Sequence, residues 1–193
     1  MADGVPEVLA ALSRVLEQHA DGWYLFGAQA VQVWGTPRLS ADVDVTVRLP
    51  SGEDAASLVT ALRDAGFDLR VADADDFVAR TRVLPFVHRP SRIPVDVVLA
   101  GPGPEEEFIA RARRVSLAGV SVPVLSPEDL VVTKILAGRP KDLEDVRGIL
   151  REQGDAFDLT RVRELLRLLE AALGQSDLVP LFEEQLAASR RAR

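Results

Sequence analysis

The stretch Trp23–Val47, WYLFGAQAVQVWGTPRLSADVDVTV, decides how the chain folds. An apolar run, Trp23–Phe26, leads into the small pair Gly27-Ala28, and a spacer then leads to Asp42-Val43-Asp44-Val45. Strand residues alternate faces at about 3.3 Å per step, so Asp42 and Asp44 point the same way, roughly 6–7 Å apart. Val43, Val45 and Val47 take the opposite, core-facing side. Two carboxylates on one face repel and lose hydration unless a cation lies between them. Hard divalent ions accept that arrangement. The segment reads as half of a metal site.

Downstream, Ile93–Leu99 (IPVDVVL) alternates in the same way, with Ile93, Val95, Val97 and Leu99 on one face and Pro94, Asp96 and Val98 on the other. Asp96 is the only charge in that strand, and a carboxylate among valines needs a partner. It is the natural third acid.

A small pair after a strand, Asp-hydrophobic-Asp on the next strand and a single Asp on a later one resembles the nucleotidyltransferase superfamily of the DNA polymerase beta type. Val122–Ile149, VPVLSPEDLVVTKILAGRPKDLEDVRGI, narrows this. Lys134 followed by Lys141-Asp142-Leu143-Glu144-Asp145 is similar to the second half of AbiEii-type nucleotidyltransferase toxins and minimal nucleotidyltransferases. Arg38 and Ser40 match the Arg and Ser/Thr that often precede the Asp pair. The likeness spans roughly Tyr24 to Leu150. One departure is Ala28, where the superfamily has Gly or Ser; alanine keeps the N–H but loses a hydroxyl and some backbone freedom.

The resemblance implies an α+β chain: a small mixed sheet with flanking helices over 1–150, then a short helical part over 151–193. It implies Mg²⁺, two ions held by Asp42, Asp44 and Asp96, and an NTP as substrate. Asp42, Asp44, Asp96 and Lys134 are the implied catalytic set. Gly27, Ala28, Arg38, Ser40, Lys134 and Asp142 are the implied nucleotide-binding set. The reaction would move a nucleoside monophosphate to an acceptor hydroxyl on a tRNA end or a protein, in a toxin–antitoxin setting with a cognate antitoxin. Alternatives are a catalytically weak partner-binding module and an antibiotic-modifying nucleotidyltransferase.

Composition sets outer limits. With 193 residues, 47% hydrophobic and 27% charged, the chain suits one ordinary core with a helical appendage. Zero cysteines exclude disulfides and cysteine-built zinc sites, and two isolated histidines argue against a His-built one. No apolar run is long enough to span a bilayer and no signal-like N-terminus stands out, so the cytoplasm is the expected compartment. A net charge of −7 argues against a protein that coats nucleic acid, though a local basic patch can still meet an RNA end. Arg111, Arg113 and Arg114 and the terminal arginines read as a solvated helix face and tail; Arg139 with Lys141 is the better patch. His19 and His88 read as structural, and Trp23 and Trp34 as core.

Periodicity predicts an amphipathic helix over 5–19 and another from Ser51, with Asp54 in its first turn, to Ala65, ended by Gly66. Strands are predicted over Phe67–Val71 and Thr81–His88. A break at Gly101–Pro104 precedes a helix with an acidic first turn and an arginine-rich end. Ser126-Pro127-Glu128-Asp129 is a helix start, with a Ser cap and Pro in first position. Gly138-Arg139-Pro140 ends that helix and the next begins near Lys141. Two more helices are predicted, one from Leu159 to Leu169 and one from Pro180 to Ala188.

Overall fold

A computed structural model describes residues 4–40, 42–51, 55–101 and 103–191. These residues form two compact units. One holds the described residues up to Gln29 and from Leu39 to Leu125; the other holds Ala30–Arg38 and Ser126 onward.

The first unit is built on a seven-stranded mixed sheet. Its strands are β1 (Gly22–Phe26), β2 (Val43–Arg48), β3 (Phe67–Leu69), β4 (Val83–His88), β5 (Pro94–Leu99), β6 (Arg113–Leu117) and β7 (Val120–Val124), in the order β3-β4-β5-β2-β1-β7-β6. β1 runs antiparallel to β2, with Phe26 opposite Asp44. β2 runs parallel to β5, with Val43 beside Val95, Asp44 beside Asp96 and Val45 beside Val97. Val43, Val45, Val47, Val95 and Val97 are fully buried. At about 1.5–3 kcal/mol per buried aliphatic side chain, this valine layer alone fixes the register, since a slip of one residue would exchange it for the acids.

Helix α1 (Val5–His19) buries Val5, Val8, Leu9, Leu12, Val15 and Leu16 at helical spacing and contacts β1 and β7. Helix α2 (Gly27–Trp34) follows β1 directly, and α3 (Ala55–Asp64) packs on α1. Ser51, the predicted start, is a described turn residue, whereas residues 52–54, including Asp54, lie outside the described residues. Two strand predictions are corrected at their ends: Phe67–Val71 stops at Leu69, and the strand expected from Thr81 begins at Val83. Residues before it form a helix not foreseen, α4 (Ala74–Thr81), whose Asp73 cap accepts from the Asp76 N–H at 3.0 Å.

Helix α5 (Glu105–Arg111) has the expected acidic first turn and a basic last one. Arg113 and Arg114, however, belong to strand β6 rather than to a helix face. β6 and β7 form a hairpin that the sequence reading missed. Ala118 at φ 52° and Gly119 at φ 82° make its turn, the left-handed pair that matches strand twist.

The second unit is helical. It contains α6 (Pro127–Ala137), α7 (Pro140–Gln153), α8 (Leu159–Leu173) and α9 (Leu178–Arg191). Ser126 caps α6, its Oγ accepting from Asp129 N–H at 3.2 Å, with Pro127 in the first position as predicted. Gly138 closes α6 in the left-handed conformation. α7 contacts α6 and α9, and α6 contacts α8. No helix among the described residues is long and apolar enough to cross a membrane.

Candidate active site

Because β2 and β5 are parallel and in register, Asp44 and Asp96 stand side by side on one face of the sheet. Their valine neighbours force this, since burying one face leaves the other to the carboxylates. Both residues are partly exposed. Asp42 differs: it is exposed and precedes the strand by one residue, beyond the last ladder pair at Val43–Val95.

Gly27 starts α2 at φ 63°, a conformation that disfavours any side chain. A Cβ there would lie 2.0 Å from Asp44 Oδ2, so the backbone and the carboxylate occupy adjoining space that only glycine leaves open. Ala28 is buried beside it. Gln29 is fully buried, and its Nε2 donates to Asp42 O at 3.2 Å and to Ser40 O at 3.5 Å.

Asp96 has a partner that the sequence reading did not foresee. Arg70, just past β3, donates its Nη2 to Asp96 Oδ1 and its Nε to Phe86 O at 2.9 Å. The guanidinium crosses β4 to reach β5. Among the described residues no three histidines or acids are grouped as a metal cluster. The donor chemistry of Asp42, Asp44 and Asp96 is nonetheless all carboxylate oxygen, which fits Mg²⁺ and not a soft metal.

In the second unit, Lys134 is buried on α6 and its Nζ donates to Asp142 Oδ1 at 3.0 Å and to Asp145 Oδ2 at 2.7 Å. Asp142 also accepts from Arg139 Nε at 2.5 Å. Asp145 accepts both Arg38 Nε at 2.8 Å and Arg38 Nη2 at 3.0 Å, a bidentate fork. Burial alone would raise the Asp142 carboxyl, but hydrogen bonds from Arg139 and Lys134 outweigh it and hold its pKa below the usual value. Arg38, Asp145, Arg147 and Arg151 line an open cleft of about 400 Å³. The loop carrying Arg38 lies tight on α7: a Cβ at Gly148 would meet Thr36 Oγ1 at 3.0 Å.

Asp145 thus anchors both Lys134 and Arg38, although the sequence reading gave it no place in the site. Its spacing from Asp142, one turn along α7, was the available signal. His88 is structural, as expected. It lies between Ser91 Oγ at 2.8 Å and the Phe67 ring at 5.0 Å, and burial pulls its pKa down.

The paired acids beside a glycine turn lie in the first unit, and the helix Lys bonded to Asp142 and Asp145 lies in the second. The family model described as "Nucleotidyl transferase AbiEii toxin, Type IV TA system" matches residues 10–192, nearly the whole chain. The chain belongs to the AbiEii family of nucleotidyltransferases. Several solved structures superpose on this AbiEii-family chain. The antibiotic-resistance factor ANT(2'')-Ia superposes with a TM-score of 0.56 at 18% identity, over 88% of this chain and 96% of that one. An antigenic nucleotidyltransferase-like protein from Paracoccidioides brasiliensis gives 0.54 at 20% identity, over 94% and 93%. JHP933 from Helicobacter pylori gives 0.50 at 14% identity, over 98% and 92%. At such identities the likeness is one of fold. No curated protein sequence matches the chain.

Proposed function

We propose that this AbiEii-family enzyme transfers a nucleoside monophosphate from an NTP to an acceptor hydroxyl, on an RNA end or a protein, as the toxin of a toxin–antitoxin pair. The observation that carries the reading is the in-register pair Asp44–Asp96, with Asp44 against the Gly27 turn, in a chain of this family.

In this reading Asp42, Asp44 and Asp96 hold Mg²⁺. When bound, a pair of such ions neutralises phosphate charge and aligns the attacking and leaving oxygens. The chain's own residues supply the rest. Asp96 is assigned to take the acceptor's proton. Gly27 and Ala28 offer backbone N–H groups without bulk where a phosphate approaches. Lys134 presents a point charge to the nucleotide, with Asp142 and Asp145 fixing its ammonium. Arg38 and Ser40 complete the proposed nucleotide contacts, and a cognate antitoxin is the proposed protein partner.

The test is transfer of radiolabel from each α-³²P-NTP to total RNA and protein, with Mg²⁺ and with EDTA. Transfer that persists in EDTA, or in Asp44→Asn, would sink the metal-site assignment. A second reading, a catalytically weak partner-binding module, draws support from the Arg70 guanidinium on Asp96. It predicts no transfer with any nucleotide, and stable capture of a partner by wild type and Asp44→Asn alike.

A further inference from the structure

We propose that Gln29 is a positioning residue that sets the place of Asp42 in the metal site. The inference rests on the reading of Asp42, Asp44 and Asp96 as ligands. The sheet positions these acids unequally. Asp44 is fixed by pairing on both sides, with Phe26 of β1 and with Asp96 of β5, and Asp96 by Asp44 and by Pro85 of β4. The β1 ladder stops at Asp44 and the β5 ladder at Val43. Asp42 lies beyond both, outside any strand.

Gln29 takes over where the ladders end. It sits two residues after Gly27, in the first turn of the same helix, so the helix that brings glycine against Asp44 also carries the amide toward Asp42. Its side chain has no exposure, and Nε2 donates to the carbonyl of Asp42 itself at 3.2 Å, with a longer contact to Ser40 O at 3.5 Å. Fixing the carbonyl of Asp42 from one side, while the Val43 pairing fixes the next residue, sets the backbone from which its carboxylate projects. A buried amide also cannot let go cheaply, because water does not replace its bond there. Outer partners of this kind typically change metal affinity by roughly 10–100-fold when removed.

The test is Mn²⁺ affinity of the full chain by electron paramagnetic resonance, with melting in EDTA measured alongside. Gln29→Met keeps the volume and removes the donor. It should weaken Mn²⁺ binding by about tenfold or more, and kcat for transfer should fall more than nucleotide KM rises. If Gln29→Met does not fold, Gln29→Asn keeps a buried amide one methylene too short to reach Asp42 O, and the same loss is expected. Affinity within about twofold of wild type, with only a lower melting temperature, would make Gln29 a core residue and overturn the proposal. Asp44→Asn is the control. If it abolishes Mn²⁺ binding while the Gln29 variants bind normally, the metal site stands and the role of Gln29 fails. If wild type binds no Mn²⁺, or Asp44→Asn binds it unchanged, the metal reading fails and this inference with it.

Discussion

The two charged regions of this protein solve opposite problems. On the sheet, Asp44 and Asp96 are partly exposed neighbours of like charge, set side by side by a valine layer, with Arg70 bonded to Asp96. In the helical unit, Lys134, Asp142 and Asp145 are buried, with Lys134 donating to both acids and Arg38 and Arg139 completing the set. Mutual repulsion in the first must be held by the fold, so the acids cost stability and are suited to receive a cation. The second stabilises itself only while every member is present. Removing an acid from the sheet should therefore cost function, whereas removing a charge from the helices should cost structure.

The sharpest break in that comparison is Lys134→Ala. It leaves two buried carboxylates without their ammonium, and losing one partner of a buried pair typically costs about 3–5 kcal/mol. The melting temperature should fall on the order of 10 °C, given a few degrees per kcal/mol at this size. Lys134→Arg should recover part of both stability and nucleotide affinity. Calorimetry gives both; an unchanged melting temperature in Lys134→Ala would show that the cluster does not hold the helices.

Asp44→Asn should do the reverse. Transfer activity should drop by more than roughly 100-fold, the upper range for even an outer-shell partner of a metal. Stability in EDTA should stay within about 0.5 kcal/mol of wild type or rise, because one of two repelling charges is gone. Urea unfolding checks the second half, and a large destabilisation would mean that Asp44 serves the fold.

Arg70→Gln sharpens the comparison from the sheet side. Arg70 and Asp96 are 39% and 40% exposed, and such pairs are worth about 0.2–1 kcal/mol. Release of Asp96 should therefore tighten Mn²⁺ binding by no more than about fivefold. Weaker binding instead would show that the guanidinium orients Asp96 as a ligand.

The smallest effect concerns acid. The Asp142 pKa lies below its unfolded value, which is about 3.9. Its contribution to stability is complete above that value and lost as pH falls through the lower, folded one. Melting followed from pH 6 to pH 2.5 should show a shallower acid limb in Asp142→Asn than in wild type. Parallel curves would remove Asp142 from the acid response.

Much of this was legible in the sequence. Alternating valines around Asp44 and Asp96 specify two strands and a shared face, and Ser126-Pro127-Glu128-Asp129 specifies a helix start to the residue. Other elements lacked such a signal. β6 is an edge strand whose Arg113, Arg114 and Ser116 are exposed, so its alternation carries little apolar contrast. α4 is eight residues long, with three consecutive positions, Ala79, Arg80 and Thr81, exposed at its end. Arg70 and Gln29 were invisible for a different reason. Each acts across a distance in sequence, Arg70 on Asp96 and Gln29 on Asp42, through strand order that no local pattern encodes.

The meeting of Gly27 and Asp44 has a genetic corollary. Nearly every change at the first or second base of a glycine codon installs a side chain, and the nearest atom it would strike is a carboxylate oxygen 2.0 Å from the new Cβ. Under the proposed toxin role, survivors selected for escape from expression of this protein should therefore accumulate missense lesions at codon 27 alongside the expected nonsense and frameshift alleles. Those lesions should yield full-length polypeptide, visible on an immunoblot, that no longer harms the cell.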